Sequence, residues 1–278
     1  MESKATLRLA TGAMAVCVVL WVLAFAAPAP ASYREGYTAY KAKDYKRAYE
    51  EFRKGADQGD KRAQDYLAYM YYRGRGVSKN YEEAMRWWRK SAGAGSARAQ
   101  HWLGNLHLWG RGMKKDYGAA VGWYRKAAEQ DYTSAQAQLG WLYYEGKGVE
   151  RNFEKSLEWS RKAANKGHAG GQNMVGVMYS RGLAVQRDFA EAARWYRKAA
   201  ERGHATAQHN LGMSHARGKG VSQDWVEAYK WVSLSNKRRP SEKRAHDLRW
   251  LESKMTFSQI DEAKERVENW RPRKRGGS

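Results

Sequence analysis

The feature that most constrains this chain is a period of 36 residues. Gln64, Gln100, Gln136, Gln172 and Gln208 fall on it, as do Trp87, Trp123, Trp159, Trp195 and Trp231, and Gly74, Gly110, Gly146, Gly182 and Gly218. A period of this length marks stacked supersecondary repeats, each too small to bury its own apolar face without a neighbour. Five repeats follow, near 60–95, 96–131, 132–167, 168–203 and 204–239.

Within a repeat, apolar phases such as Ala63, Leu67 and Tyr71, or Ala135, Leu139 and Tyr143, recur four apart and predict a helix, here helix A. A Gly-x-Gly pair then stops it, as in Gly74 and Gly76, Gly110 and Gly112, Gly146 and Gly148, and Gly218 and Gly220; Ala184 takes the second place in the fourth repeat. Asn80, Asp116, Asn152, Asp188 and Asp224 stand where a side-chain oxygen caps a new helix, helix B, and Glu83, Glu191 and Glu227 have the spacing of a capping box. Helix B ends at Gly95, Gly167 and Gly203, with Asp131 the exception.

Together these residues spell A-x-A-Q-x-x-L-G-x-x-Y-x-x-G-x-G-V-x-x-D-x-x-x-A-x-x-W-Y-x-K-A-A-x-x-G, most fully at Ala135 to Gly148 and Asp188 to Gly203. The pattern resembles the Sel-one-like repeat family, relatives of the tetratricopeptide repeats. The resemblance implies an all-α fold: a right-handed α-solenoid superhelix of antiparallel helix pairs, with a concave surface that binds partner proteins and no catalysis. Residues 32–59 are expected to form a tetratricopeptide-like half-repeat cap, 60–239 the five repeats, and 240–278 the closing helices with a basic tail. In that last stretch Thr256 or Ser258 caps an amphipathic helix with Ile260, Ala263 and Val267 on one face.

Residues 1–31 are an address, expected as an N-terminal hydrophobic helix. Lys4 and Arg8 precede an uncharged run from Leu9 to Ala31 that ends in Ala29-Pro30-Ala31, a site for a signal peptidase that accepts A-x-A. The run is also long enough to span a bilayer as an uncleaved anchor. Both readings place the chain in the bacterial periplasm or on the inner membrane facing it. A third places the C-terminal part in the cytoplasm, because Arg34, Lys41, Lys43, Lys46 and Arg47 outnumber Lys4 and Arg8.

Motifs that carry chemistry are missing from the sequence. Both Gly-Lys pairs, Gly146-Lys147 and Gly218-Lys219, are followed by glycine, so no phosphate loop forms; there is no G-x-S-x-G elbow and no Ser-x-x-Lys. Cys17, the single cysteine, excludes an intramolecular disulfide and a cysteine-built metal site. His101 and His107 lie six apart, on different helix faces, and do not make a zinc pair; His107 and His215 occupy the core phase of Tyr71, and His168 and His204 sit in Gly-His-Ala turns. The expectation is therefore no enzyme, no cofactor, no metal and no small-molecule substrate.

What remains is binding. Exposed phases of helix A that vary between repeats are free to specify a partner, and Tyr69, Arg73, His101, Asn105, Trp109, Trp141, Arg181 and Arg217 are the predicted surface for a protein or peptide. The other candidate is charge. The chain holds 51 Lys and Arg against 29 Asp and Glu, for a formal +22; a mature form lacking Glu2, Lys4 and Arg8 keeps +21. Arg89-Lys90, Arg125-Lys126, Arg161-Lys162 and Arg197-Lys198 repeat as a ladder on helix B. With the tail Arg271 to Arg275 they would draw an anionic polymer: lipid headgroups, cell-wall polymer or nucleic acid.

Overall fold

The computed structural model describes residues 31–273; the apolar run up to Pro30, read above as a signal or anchor, and the tail from Lys274 onward lie outside the described residues. Among them are fourteen helices and no strand. None of these helices is long and apolar enough to cross a membrane.

Two compact units divide at Gly95. The first holds α1 (Ala31–Lys41), α2 (Tyr45–Asp57), α3 (Lys61–Arg73) and α4 (Tyr81–Gly93). In the second, helices A and B alternate: α5 (Ala97–Trp109), α6 (Tyr117–Glu129), α7 (Thr133–Glu145), α8 (Phe153–Asn165), α9 (Ala169–Arg181), α10 (Phe189–Glu201), α11 (Ala205–Arg217) and α12 (Trp225–Arg238). α13 (Glu242–Glu252) and α14 (Phe257–Asn269) close it, both packing on α12. Thr256 and Gln259 form a complete capping box at α14, and Ala263 and Val267 are buried as their spacing predicts.

The turn between helices A and B explains its own composition. The αL residue after helix A is glycine in every repeat, and the N-cap backbone N–H donates back to helix A: Asn80 to the Tyr71 carbonyl (3.0 Å), Asn152 to Tyr143 (3.0 Å), Asp224 to His215 (3.1 Å). The cap side chain takes the N3 N–H, from 2.7 Å at Asn152 to 3.0 Å at Asn80. That geometry corrects the capping-box reading of Glu83, Glu191 and Glu227. Their target, the cap N–H, is already committed to helix A, so they pair instead with Arg86 (2.7 Å), Arg194 (3.0 Å) and Lys230 (3.0 Å).

The second glycine of the turn is demanded by contact as well as by conformation. Gly148 has φ +71, and a Cβ built there would stand 2.2 Å from the Tyr117 carbonyl carbon, at the start of the preceding helix B. Helix pairs close in the same way. A Cβ on Gly176 of α9 would meet the Tyr196 ring at 2.7 Å, so its absence lets that ring of α10 approach the α9 backbone.

The glutamine that marks the period is a staple. Gln64, Gln136, Gln172 and Gln208 are almost wholly buried, and each Nε2 donates to the carbonyl eight residues back, Ala56, Ala128, Ala164 and Ala200, at 3.2–3.3 Å. That carbonyl is one of the last in the preceding helix B, where it also accepts the N–H three residues on, from Gly59, Asp131, Gly167 or Gly203 at 2.8–3.1 Å. The side chain therefore adds a second bond at a helix end and ties each repeat to the one before it.

Candidate functional site

Four successive A helices of the second unit, α5, α7, α9 and α11, line a groove of about 760 Å³. Five of the eight predicted partner residues lie in it: His101, Asn105 and Trp109 from α5, Trp141 from α7 and Arg181 from α9. Arg217, exposed at the last turn of α11, does not line it, and Tyr69 and Arg73 belong to α3 in the first unit. His168, His204, Tyr144, Glu145 and Asn210 line the groove and were not predicted. The two histidines were read only as turn residues, although their place one residue before helix A puts them at its cap.

The groove is an aromatic wall with polar fittings. Trp109 is 45% exposed, and with Phe257 it makes up the large exposed hydrophobics among the described residues. The Arg111 guanidinium lies 5.1 Å from its ring, and the Lys147 ammonium 4.9 Å from the ring of half-buried Trp141, so both indoles meet cations of neighbouring loops. Arg181 donates to the Tyr144 hydroxyl.

Asn105 is only 2% exposed, and it corrects the expectation that its helix face is free. Its Oδ1 accepts from the buried Tyr124 hydroxyl at 2.7 Å, and its Nδ2 lies 3.5 Å from His101 Nδ1. Asn173 likewise accepts from Asn210 Nδ2 at 3.1 Å, and Asp65, in the first unit, from Ser91 Oγ at 2.8 Å. These polar groups are buried because each has a partner on another helix.

Two of the groove histidines, His101 and His204, are held neutral by burial. Burial, and then the nearby His168 ring, push His101 down to about 4. Burial does the same to His204, also to about 4, aided by His168, Arg238 and Arg239. His168 and His204 use Nδ1 to accept the N–H of Gly171 and Ala207, each at 3.2 Å, and so cap α9 and α11. An imidazole accepting at Nδ1 carries its proton on Nε2.

The helix B ladder is exposed, and its side chains also reach partners within the fold. Arg125 donates to the Tyr143 hydroxyl (3.3 Å) and Arg161 to that of Tyr179 (2.7 Å), while Arg197 approaches His215 Nε2 (3.5 Å). Lys126, Lys162 and Lys198 fold over Trp123, Trp159 and Trp195 of their own helices at 4.2–4.8 Å. The repeated arginine thus braces the next repeat's Tyr or His, and the repeated lysine covers its own tryptophan.

The family model for the Sel1 repeat matches residues 31–60, 61–96, 97–132, 133–168, 169–204 and 205–236. The chain belongs to the Sel1 repeat family. Its first matched Sel1 repeat covers the stretch expected as a half-repeat cap, where α1 and α2 stand as a helix pair. Among solved structures, a Sel1 repeat protein from Oxalobacter formigenes is 37% identical, with a TM-score of 0.65, over 73% of this chain and 83% of that one. The protein c5321, a protective antigen present in uropathogenic Escherichia coli strains and displaying an SLR fold, is 29% identical with a TM-score of 0.59. That match covers 86% of this chain and 60% of c5321. No curated protein matches the chain. Sel1 repeat proteins are typically protein-interaction scaffolds, built on a fold that is generally non-enzymatic.

Proposed function

We propose that this Sel1 repeat protein docks a protein or peptide segment in the groove between α5 and α11. The observation that carries the reading is Trp109, a large indole left 45% exposed in a groove with Trp141. Exposed tryptophan in a concavity is the residue type that anchors interfaces, and amides and rim charges beside it supply direction. Arg181 and Glu145 provide one charge of each sign there, so the groove suits a segment of mixed rather than single-sign charge.

The test is capture of a partner from intact cells by crosslinking, with Trp109→Ala and Trp141→Ala combined. The double variant is expected to lose the specific partner while keeping its helicity, because neither indole ring is fully buried. Undiminished capture by the double variant overturns the groove reading. Capture through the groove should also depend weakly on salt; a steep fall with rising salt would point to a polyanion held by the ladder and tail.

We further propose that the partner is met in the periplasm or at the inner membrane; the reading is supported by Lys4 and Arg8 before the apolar run and Ala29 and Ala31 at its end. The mass of the native protein tests this: a start near Ser32 means release, and the full-length mass in a membrane fraction means tethering. A full-length chain in the soluble cytoplasm overturns it.

A further inference from the structure

A second cavity of about 720 Å³ in the same unit shares no lining residue with the groove. It opens between the C-terminal ends of α8 and α10, with Gln172 of α9 and Arg273 of the tail also on its walls.

One repeat earlier, the same phases show what a carboxylate does at this place. Asp131 stands where the period has glycine, in left-handed backbone with φ 63. Its Oδ1 accepts from Lys166 Nζ at 2.6 Å and from Gln136 Nε2 at 3.1 Å, and these two bonds hold its carboxyl below the usual range.

At the cavity, 36 residues on, Gly167 replaces Asp131, Gln172 replaces Gln136 and Arg202 replaces Lys166. Both donors persist and the carboxylate is gone. The Arg202 guanidinium lies 3.2 Å from where a Cβ on Gly167 would stand, and among the described residues it makes no ion pair. The one wall carboxylate, Glu201, faces Arg273 at 3.6 Å instead. Lys198 adds a second cation, folded over the Trp195 ring. A further repeat on, Gly203 and Arg238 renew the arrangement, but Trp270 of the chain's own end packs there, 3.6 Å from the Gly203 Cβ position and against Trp231. That place is closed; the cavity at Gly167 is open.

We infer that this cavity binds an acidic peptide segment. One of its carboxylates sits where the Asp131 carboxylate sits a repeat earlier, between Arg202 and the Gln172 amide, and the next residue lies along Trp195 and Lys198. A carboxylate fills this place one repeat earlier, and Lys166, Lys198 and Arg273 on the same wall favour a segment that carries several of them. The site is independent of the groove and would serve a second partner segment or a second stretch of the same one.

A fluorescein-labelled hexa-aspartate peptide titrated into the full chain, read by anisotropy, tests this. Arg202→Gln should weaken binding by about fivefold or more, the loss of one charge-assisted pair. Gly167→Asp should weaken it similarly, because the new side chain fills the place itself; Asp131 shows that the backbone accepts this residue. Lys90→Gln, which removes an equal charge from the ladder elsewhere, should change binding by less than about twofold. Circular dichroism checks that all three variants are folded. The inference is overturned if the three variants weaken binding equally, if Gly167→Asp binds like the parent, if a hexa-asparagine peptide binds as well, or if inorganic phosphate displaces the probe at equal charge.

Discussion

Helix B is capped by the same chemistry in every repeat, whereas the five A caps use Asp, Ser, Tyr and, twice, His. The B caps are Asn80, Asp116, Asn152, Asp188 and Asp224, all bonded to the N3 N–H. At the A caps stand Asp60, Ser96, Tyr132, His168 and His204, and Tyr132 makes no side-chain cap bond at all. Both kinds of cap are held by the backbone: the B-cap N–H donates to helix A, and the N–H of Asp60, Tyr132, His168 and His204 donates back to Gly55, Ala127, Ala163 and Ala199 of the preceding helix at 3.0–3.1 Å. The difference lies in the side chain, and Tyr132 shows that an A cap stands without a side-chain bond. His168 and His204 moreover face the groove, where a change of residue alters what the protein recognises more than whether it folds.

The largest expected effect is an acid lability shared by one A cap, His204, and by His101 inside α5. His101 and His204 are near 4 in the fold against an ordinary 6.5, so between those values the unfolded chain binds more protons. Stability is therefore complete above about pH 6.5 and is lost as pH falls toward 4, by roughly 2–3 kcal/mol for each ring. Denaturant midpoints measured from pH 7 to pH 4 should show the decline. His204→Ser should remove close to half of it, since Ser96 caps the same phase from Oγ at 3.2 Å without titrating. A variant that declines as steeply as the parent would show that the caps are not the acid-sensitive element.

The repeating side should break at its turns. Gly148→Ala places a methyl on the Tyr117 carbonyl in left-handed backbone, and overpacking plus the αL penalty amount to about 3 kcal/mol. Gly122→Ala is the contrast. It lies within α6 with nothing inside 4 Å of the new methyl, so helix propensity alone should stabilise it by up to about 1 kcal/mol. Equal responses of the two variants to denaturant would mean that the close approach at Gly148 relaxes freely.

The helix pairs, the B caps and the glycine turns were legible in the sequence because each is local, and five copies of one pattern multiply the signal. Burial across helices was not legible. The phase of Asp65, His101 and Asn173 and that of Asn105 look exposed on a helical wheel, yet three of these four residues are buried with bonds to Ser91, Asn210 and Tyr124, partners 19 to 37 residues away. The ladder's exposure follows from its phase, but the hydroxyls of Tyr143 and Tyr179, 18 residues on, that receive Arg125 and Arg161 could not be read from it. Groove residues such as Trp109 and Trp141 stood out because they break the repetition, and His168 and His204 escaped notice because a turn already explained them.

The smallest expected effect sharpens the comparison from inside the repeating side. Ala184 holds the phase of Gly76, Gly148 and Gly220 with φ 56, where those glycines come so close to the preceding helix B that a Cβ would lie 2.0–2.2 Å from its backbone. A methyl at this phase needs room that the other copies lack, and left-handed backbone costs alanine about 1–2 kcal/mol. Ala184→Gly relieves that cost but frees the unfolded chain, which returns about 0.4–1 kcal/mol. The relief exceeds the return, so the variant should be more stable by roughly 0.5–1 kcal/mol, a small rise in denaturant midpoint with no change in slope. A fall in the midpoint would mean that the Ala184 methyl makes a packing contact worth more than its backbone strain, and that this one turn departs from the rule the other copies obey.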